Sequence, residues 1–261
     1  MTKAFILAAG QGTRLRPLTD NLPKCLVPFC GKSLLLRQAE VLKSCGVSDI
    51  YVATGFCAER IDELGFPTFY NHRFDSTNMV ESMIAGRSLF EEEGDLIIAY
   101  GDIIYNRENL EAMLSCNASV SLMIDKKWDA LWSLRFEDPL VDAETLKLSS
   151  EGLVTELGKK PKNMDEIEGQ YTGLIKFSES GKKLILELYD SLRKNSSKSD
   201  QELDNIYMTD FLQMIIDSGV PIKAVEVENG WLEIDSVEDL EHYETMYKDG
   251  TLERFYDVES S

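Results

Sequence analysis

The sequence predicts an α/β protein with a Rossmann-like, mostly parallel sheet and helices on both faces of that sheet. The first 125 residues alternate strand-like apolar runs with segments of helical periodicity. Chains with this alternation form parallel strands joined by crossover helices. A glycine-rich segment directly follows the first apolar run. Because ligands bind outside the carboxyl ends of the strands in such sheets, we expect the functional residues there.

The first half of the chain contains the more regular elements. The strand-like runs lie at residues 3–8, 50–54, 68–71, 96–100 and 119–124. Helices are predicted at residues 33–45 and 79–90 from the spacing of their apolar side chains. Gly46 follows the first of these helices, as a C-terminal glycine commonly does.

The second half of the chain has a less regular pattern. Its predicted strands lie at residues 144–148, 153–157, 171–177 and 220–227, and its predicted helices at 181–193, 208–218 and 236–246. Ser236 is the expected N-cap of the last helix. The polar, Ser-rich segment 194–201 predicts a mobile loop. The acidic tail after Lys248 predicts a solvated end.

Composition limits the classes of function. Hydrophobic residues make up 43% and charged residues 28%, which is ordinary for a globular protein, and no run of roughly 18 apolar residues predicts a membrane span. The five cysteines are odd in number and form no CxxC pair, so we expect a reducing, cytoplasmic location. The net charge of −19, without a Lys/Arg-rich stripe, argues against a nucleic-acid partner. A polyanionic ligand would therefore depend on a few local groups.

The segment after the first strand has the features of an anion-binding loop. It reads LAAGQGTRLRPLT from Leu7, and PKCL follows from residue 23. Small residues at positions 8–10 let a flat ring or a phosphate approach the backbone, and Gly12 frees the loop to turn its N–H groups toward an anion. Arg14 offers a fork that matches phosphate oxygens, and Lys24 supplies a point charge.

Two familiar phosphate loops are excluded by single positions. The dinucleotide-binding pattern GxGxxG needs glycine where Leu15 stands. The sequence Gly31-Lys32-Ser33 ends like a P-loop, but that motif needs glycine where Leu26 stands.

The pattern LAAGxGxRLxPLTxxxPKxL resembles the nucleoside triphosphate transferases that make sugar nucleotides and CDP-alcohols, and the match is nearly complete across residues 7–31. The resemblance implies that Arg14 and Lys24 act on the triphosphate. It also implies that the base and phosphates contact Ala8, Ala9, Gly10, Gly12 and Thr13. We expect one nucleotidyltransferase domain over residues 1–261. Its expected parts are a nucleotide-binding core at 1–125, a small α+β acceptor-binding part with the metal aspartate at 126–235, and a helix and tail at 236–261.

Two aspartates are candidate metal ligands. Asp102 follows an apolar strand, and Asp235 stands in the sequence WLEIDS. Taken alone, each could be a turn or capping residue. The resemblance implies that these two aspartates together hold Mg²⁺, which prefers carboxylates combined with substrate phosphates and water. Strand alternation places Glu233 on the same side as Asp235, as a supporting group.

The remaining candidates concern the base and the acceptor. By resemblance to phosphocholine cytidylyltransferases, Asn78 and Ser82 are assigned to cytosine recognition, and simple helix capping by Ser76, Thr77 or Asn78 is the alternative explanation of this segment. Gly55 is expected to border the base. The expected acceptor-binding residues are Trp128, Trp132, Arg135, Asp142, Lys160, Tyr171 and Gly173. The two tryptophans could equally be core residues, and Asp142 and Glu144 add carboxylates that could pair with an amine.

Taken together, these features predict a Mg²⁺-dependent cytidylyltransferase. It would join CMP from CTP to phosphocholine, 2-aminoethylphosphonate or phosphoglutamine, with release of pyrophosphate. A sugar-1-phosphate nucleotidyltransferase using UTP or dTTP is one alternative, and an inactive regulatory subunit is another. No membrane partner is expected, and a homodimer is expected only because similar enzymes often form dimers.

Overall fold

The computed structural model describes residues 1–259. Within this range the strands are β1 Thr2–Leu7, β2 Pro28–Phe29, β3 Lys32–Ser33, β4 Ile50–Thr54, β5 Thr68–Tyr70, β6 Asp95–Tyr100, β7 Ile103–Tyr105, β8 Val120–Asp125, β9 Leu146–Leu148, β10 Val154–Leu157, β11 Gln170–Phe177, β12 Ile222–Val227 and β13 Trp231–Glu233. The helices are α1 Leu34–Ser44, α2 Glu59–Asp62, α3 Met79–Ala85, α4 Arg87–Glu91, α5 Arg107–Ser115, α6 Trp128–Arg135, α7 Glu179–Asn195, α8 Asp200–Asp204, α9 Met208–Asp217 and α10 Val237–Lys248. Single 3-10 turns lie at Thr13–Leu15, Lys24–Leu26, Pro139–Val141, Met164–Glu166 and Leu252–Arg254.

A seven-stranded sheet with strand order β12-β8-β11-β6-β1-β4-β5 forms the centre of the fold. Strands β6, β1, β4 and β5 run parallel to one another, and β12 runs parallel to β8. Only β11 is antiparallel to its neighbours in this sheet of the described chain. The predicted α/β class with a mostly parallel sheet is confirmed.

The sheet is covered on both faces because its strands alternate between two hydrophobic clusters. In β1, Ala4 and Ile6 belong to a cluster that includes residues of α1 and α5. Phe5 and Leu7, which point to the opposite face, belong to a second cluster that includes residues of α3, α4, α7 and α9. Strands buried on both sides are near-continuous apolar runs, which is why β1 and β6 were visible in the sequence.

The helix predicted at residues 79–90 is two helices, α3 and α4, which meet at Gly86. A Cβ atom at Gly86 would lie 2.5 Å from the ring of Phe5, so only glycine permits this close approach of the helix pair to the sheet. The helix α1, in contrast, ends where its glycine signal indicated. The Ser33 hydroxyl accepts from the Leu36 N–H, and Gly46 has a φ of 82°.

Of the two segments predicted to be flexible, the loop at 194–201 is shorter than predicted, and the tail is not solvated as expected. In the segment 194–201, α7 continues to Asn195, and a capping box at Ser199 starts α8. The acidic tail is not a solvated end over the described residues, because Leu252, Phe255, Tyr256 and Val258 are buried. Residues 260–261 of the predicted tail lie outside the described residues. None of the helices within residues 1–259 combines the length and hydrophobicity that spanning a bilayer requires.

Candidate active site

A first cleft opens at the carboxyl ends of β1 and β6 and contains about 470 Å³ of space. Its wall is formed by Leu7, Ala8, Ala9, Gly10, Gly12, Lys24, Cys25, Met79, Ser82, Tyr100, Gly101 and Asp102. Small side chains therefore form one wall, and charged side chains lie at the base of the glycine loop. This is the edge of the sheet at which the sequence placed the ligand.

The glycine loop is packed directly against Lys24. Gly12 has a φ of 62°, and a Cβ atom there would lie 2.8 Å from the Cβ atom of Lys24. Both the backbone conformation and the contact therefore require glycine. The Thr19 hydroxyl donates to the Gly12 carbonyl at 2.7 Å, and this hydrogen bond fixes the far side of the loop. The loop thus presents its backbone beside a lysine that it also holds in place.

Four charged residues meet below the loop, and we call Arg14, Lys24, Asp102 and Asp235 the Lys24 cluster. The Lys24 ammonium lies 2.6 Å from Asp102 Oδ2 and 2.5 Å from Asp235 Oδ1. Arg14 forms a further ion pair with Asp235. Burial opposes the charged form of Lys24, but the carboxylates of Asp102 and Asp235 outweigh it and raise the pKa of Lys24.

A small antiparallel strand pair brings the two aspartates together. Strand β7, which begins just after Asp102, pairs with β13, which ends just before Asp235, so that Ile103 faces Glu233. The Ile234 N–H donates to the Asp102 carbonyl at 3.0 Å. Beyond Asp235, the Asp239 carboxylate accepts from the backbone N–H groups of residues 235 and 236, which fixes the start of α10. The positions of both carboxylates are therefore set by hydrogen-bonded backbone.

The aspartates could hold a divalent cation together with ligands from a substrate. Asp102 Oδ1 is buried and has no hydrogen-bond partner in the described chain. A buried acceptor of this kind is stabilised when a cation or a hydrogen-bond donor binds to it. Within residues 1–259, no group of three or more His, Cys, Asp or Glu side chains is arranged for metal binding. Two carboxylates without a third protein ligand suit Mg²⁺, which commonly keeps water and phosphate oxygens in its coordination shell.

The residues assigned to the base divide into two groups. Ser82 lines the first cleft and accepts from the Asn71 amide at 3.1 Å. Asn78 is not among the lining residues, because its amide donates instead to the Asn205 carbonyl at 2.9 Å. Gly55 is also absent from the wall, since it packs against Phe74 and the Ala9 carbonyl. The structure thus brings only Ser82 of these three to the cleft, together with Met79, which the sequence did not single out.

A second cleft of about 710 Å³ adjoins the first, and the two share Met79 and Tyr100. Its wall is formed by Met79, Tyr100, Trp132, Asp142, Glu144, Gln170, Tyr171, Thr172, Gly173, Tyr207, Met208, Thr209, Trp231 and Glu233. Of the expected acceptor residues, Trp132, Asp142, Tyr171 and Gly173 line it. The Trp132 indole N–H donates to Asp142 Oδ2 at 3.2 Å, so one tryptophan and one carboxylate form a joined part of the wall.

Three expected acceptor residues lie outside this wall. Trp128 is a packing residue whose ring meets that of Trp132 edge-on at 6.0 Å. The Lys160 ammonium donates to the carbonyl groups of Leu140 and Val141, 2.6 Å from the latter, rather than entering the cleft. Arg135 is buried against two carboxylates. The sequence alone does not show whether such a residue packs in the core, bonds to the backbone of a neighbouring segment or contacts a ligand.

Arg135 orients the metal-side strand rather than the acceptor. Its guanidinium lies 2.5 Å from Glu233 and 3.0 Å from Asp239, with only 3% of its side chain exposed. Burial raises the pKa of Glu233, Arg135 opposes this effect, and the charge of Asp102 adds to it. Arg135 therefore connects α6 to both ends of the segment that carries Asp235.

We expect Arg135→Met to lower the free energy of unfolding by about 3 kcal/mol, because it leaves two carboxylates without their buried partner. Urea denaturation monitored by circular dichroism measures this loss. Arg60→Met is the matched control, since Arg60 is exposed and its ion pair with Glu63 spans 3.9 Å. If Arg135→Met instead weakens acceptor binding without any loss of stability, Arg135 is an acceptor-binding residue, as the sequence predicted.

The second cleft also contains residues that the sequence did not assign to it, including Tyr207, Met208, Thr209 and Trp231. Trp231 is held by Asp125, whose buried carboxylate accepts from the indole N–H at 2.9 Å. Tyr207 and Thr209 come from the start of α9, where amphipathic spacing predicts the helix but not what its first turn faces. Only the tertiary fold brings these segments together.

Comparisons with known proteins show what the chain is similar to. Residues 4–129 match the family described as the MobA-like NTP transferase domain. A CTP:phosphoglutamine cytidylyltransferase of Campylobacter jejuni is 39% identical over 247 residues, which cover 91% of this chain and 97% of the relative.

Two solved structures share the fold. The CTP:phosphocholine cytidylyltransferase from Streptococcus pneumoniae gives a TM-score of 0.68 at 22% identity, covering 94% of this chain and 99% of that one. The inositol-1-phosphate CTP transferase from T. maritima gives 0.67 at 20% identity, covering 95% and 96%. The 39% identity to the Campylobacter jejuni relative over 97% of its length shows that the chain belongs to the nucleoside triphosphate transferases, the class of enzyme to which the loop pattern pointed. Within that family it stands on the cytidylyltransferase branch.

Proposed function

We propose that this enzyme transfers CMP from CTP to a small phosphate or phosphonate acceptor that carries a nitrogen group, with release of pyrophosphate. The observation that carries the proposal is the Lys24 cluster below the glycine loop, at the junction of two adjoining clefts. The first cleft would hold the nucleotide and the second the acceptor. The relative from Campylobacter jejuni, named for CTP and phosphoglutamine, supports this choice of substrates.

The chemistry needs charge neutralisation more than proton transfer. A phosphate monoester has its second pKa near ~6, so the attacking oxygen is already anionic at neutral pH. The obstacle is repulsion between two anions that must be aligned for in-line displacement at the α-phosphate. Arg14 and Lys24 supply positive charge at the glycine loop, where the triphosphate would lie. This arrangement explains why no general base is needed among the residues of the cluster.

Asp102 and Asp235 are the residues that would hold Mg²⁺. The bound ion would neutralise phosphate charge beside the lysine. The protein's own part is to keep both carboxylates at one point through the β7–β13 pair and the capped start of α10. The Lys24 ammonium lies between these carboxylates, within hydrogen-bond distance of both.

The second cleft has the charge expected for a nitrogen-bearing acceptor. Asp142, Glu144 and Glu233 line it together with aromatic rings. No Lys or Arg stands among the described residues of its wall. Such a wall favours an ammonium or another N–H group and disfavours an additional anion. The acceptor's phosphate would point toward the Lys24 cluster, where the first cleft begins.

The proposal is tested by pyrophosphate release with Mg²⁺. CTP, UTP, dTTP, ATP and GTP are crossed with phosphocholine, 2-aminoethylphosphonate, phosphoglutamine and glucose-1-phosphate. We expect release with CTP and at least one nitrogen-bearing acceptor. Release only with glucose-1-phosphate would assign the enzyme to sugar nucleotide synthesis, and no release from folded, nucleotide-binding protein would favour a regulatory role.

A further inference from the structure

The three carboxylates of the second cleft differ in how their charge is compensated. Asp142 accepts from the Trp132 indole, and Glu233 is paired with Arg135. Among the hydrogen bonds of the described residues, the Glu144 carboxylate receives one from the Thr209 hydroxyl, at a long 3.4 Å. Glu144 therefore lines the cleft without an ion pair in the described chain and with most of its acceptor capacity unused.

The backbone of Glu144 is held rigidly at this position. Its N–H donates to the Gln170 amide oxygen at 3.3 Å, and its carbonyl accepts from the Gln170 amide nitrogen at 2.6 Å. Gln170 itself is 5% exposed and lies at the start of β11, so this reciprocal pair ties Glu144 to the central sheet. The backbone that carries the carboxylate is therefore held in position beside the cleft before any ligand binds.

The surroundings make an unpaired carboxylate costly. Burial raises the pKa of Glu144, the Thr209 hydroxyl opposes this effect, and the nearby charge of Asp142 adds to it. A donor that brings positive charge would relieve both the burial and the repulsion. The described wall of the cleft supplies no Lys or Arg, so that donor must come from the ligand.

We propose that Glu144 selects acceptors that carry an N–H group over acceptors whose nitrogen is fully methylated, an inference that rests on the proposed function. A primary ammonium can donate hydrogen bonds to the carboxylate, whereas a trimethylammonium has no N–H to donate. The aromatic wall formed by Trp132, Trp231 and Tyr171 attracts either cation, so it does not distinguish them. Selection between the two therefore depends on Glu144.

Phosphoethanolamine and phosphocholine are the matched probes, because they differ only in three N-methyl groups. With CTP and Mg²⁺, we expect the wild-type enzyme to favour phosphoethanolamine in kcat/KM by about 10- to 100-fold, the value of a charge-assisted hydrogen bond. Glu144→Gln should reduce this ratio, because it keeps an acceptor oxygen but loses the charge. Glu144→Leu should reduce it further. Both losses should appear mainly as a raised KM for phosphoethanolamine.

Glu151→Gln is the control, since Glu151 is an exposed residue in the turn between β9 and β10 and should leave the ratio unchanged. Thermal melts of all variants establish that they are folded. Equal use of the two acceptors by the wild-type enzyme, or an equal loss for both in the Glu144 variants, would overturn the role of Glu144. Turnover of neither probe would overturn it as well, while turnover of another nitrogen-bearing acceptor with CTP would leave the proposed function standing.

Discussion

Lys24→Met is expected to lower the rate of pyrophosphate release by at least about 100-fold, the usual cost of removing one preorganised electrostatic group from an active site. Methionine keeps the apolar stem against which Gly12 packs, so the loop should keep its shape. What is lost is the ammonium that lies beside Asp102 and Asp235 at the end of the glycine loop. Steady-state kinetics with CTP and the best acceptor measure this effect.

The same substitution should also destabilise the ligand-free protein. Two partly buried carboxylates would lose the cation that they share, at a cost on the order of 3 kcal/mol. Added Mg²⁺, without nucleotide, should then raise the melting temperature of the variant more than that of the wild type, since an ion that binds the folded state stabilises it. Thermal melts with and without Mg²⁺ measure this difference independently of turnover.

Lys43→Met is the matched control for both measurements, because Lys43 is an exposed residue near the end of α1. It should change neither turnover nor the response to Mg²⁺. Near-normal turnover of Lys24→Met would refute the catalytic role of Lys24. An unchanged melting temperature would show that Asp102 and Asp235 do not depend on this ammonium in the ligand-free enzyme.

The parts of the fold that the sequence predicted well are those that local chemistry determines. The strand Ile50–Thr54 has the predicted bounds because it is a short apolar run in a buried, parallel position. Gly46 predicted the end of α1 because a C-terminal glycine acts within one helical turn. The split at Gly86 was missed because its cause, the ring of Phe5, lies far away in the sequence.

The arrangement of the candidate site depends on contacts between distant segments. Local patterns identified Asp102 only as a residue after a strand and Asp235 only as a turn or capping candidate, and the family resemblance was needed to pair them. The structure gives the physical reason, which is the antiparallel pairing of β7 with β13. Neither of these strands was predicted, because each has only three residues and no clear periodicity.

The acceptor side shows the limits of reading single residues. Arg135 and Lys160 were expected to bind the acceptor, yet each is engaged by the protein itself. Partners such as Asp239 and the Val141 carbonyl become visible only when the chain is folded. The acidic tail was misjudged for a related reason, because its net charge concealed the buried Phe255 and Tyr256. Charge patterns describe the solvated side chains, while burial depends on a few apolar ones.

Asp102→Asn should weaken the metal dependence of the enzyme strongly. The substitution keeps the size of the side chain but removes its negative charge. The buried Oδ1 atom, which has no hydrogen-bond partner in the described chain, would become either an amide nitrogen or a neutral amide oxygen, and the latter is a weaker metal ligand. We expect the Mg²⁺ concentration for half-maximal pyrophosphate release to rise by at least about 10-fold, since even outer-shell changes at metal sites can cost that much. Turnover at saturating Mg²⁺ should also fall.

The expected size of this effect follows from the number of ligands that the protein can offer. The described chain offers two aspartates as candidate metal ligands, so the loss of one charge removes half of the negative charge that the protein supplies to the ion. A site with four protein ligands would lose a smaller share of its metal affinity. Asp49→Asn, at an exposed position before β4, is the control and should leave the titration unchanged. Nucleotide affinity measured without Mg²⁺ separates metal binding from damage to the loop. If the metal titration of the variant matches that of the wild type, Asp102 is not a metal ligand, and Asp235 has no second aspartate to share the ion with.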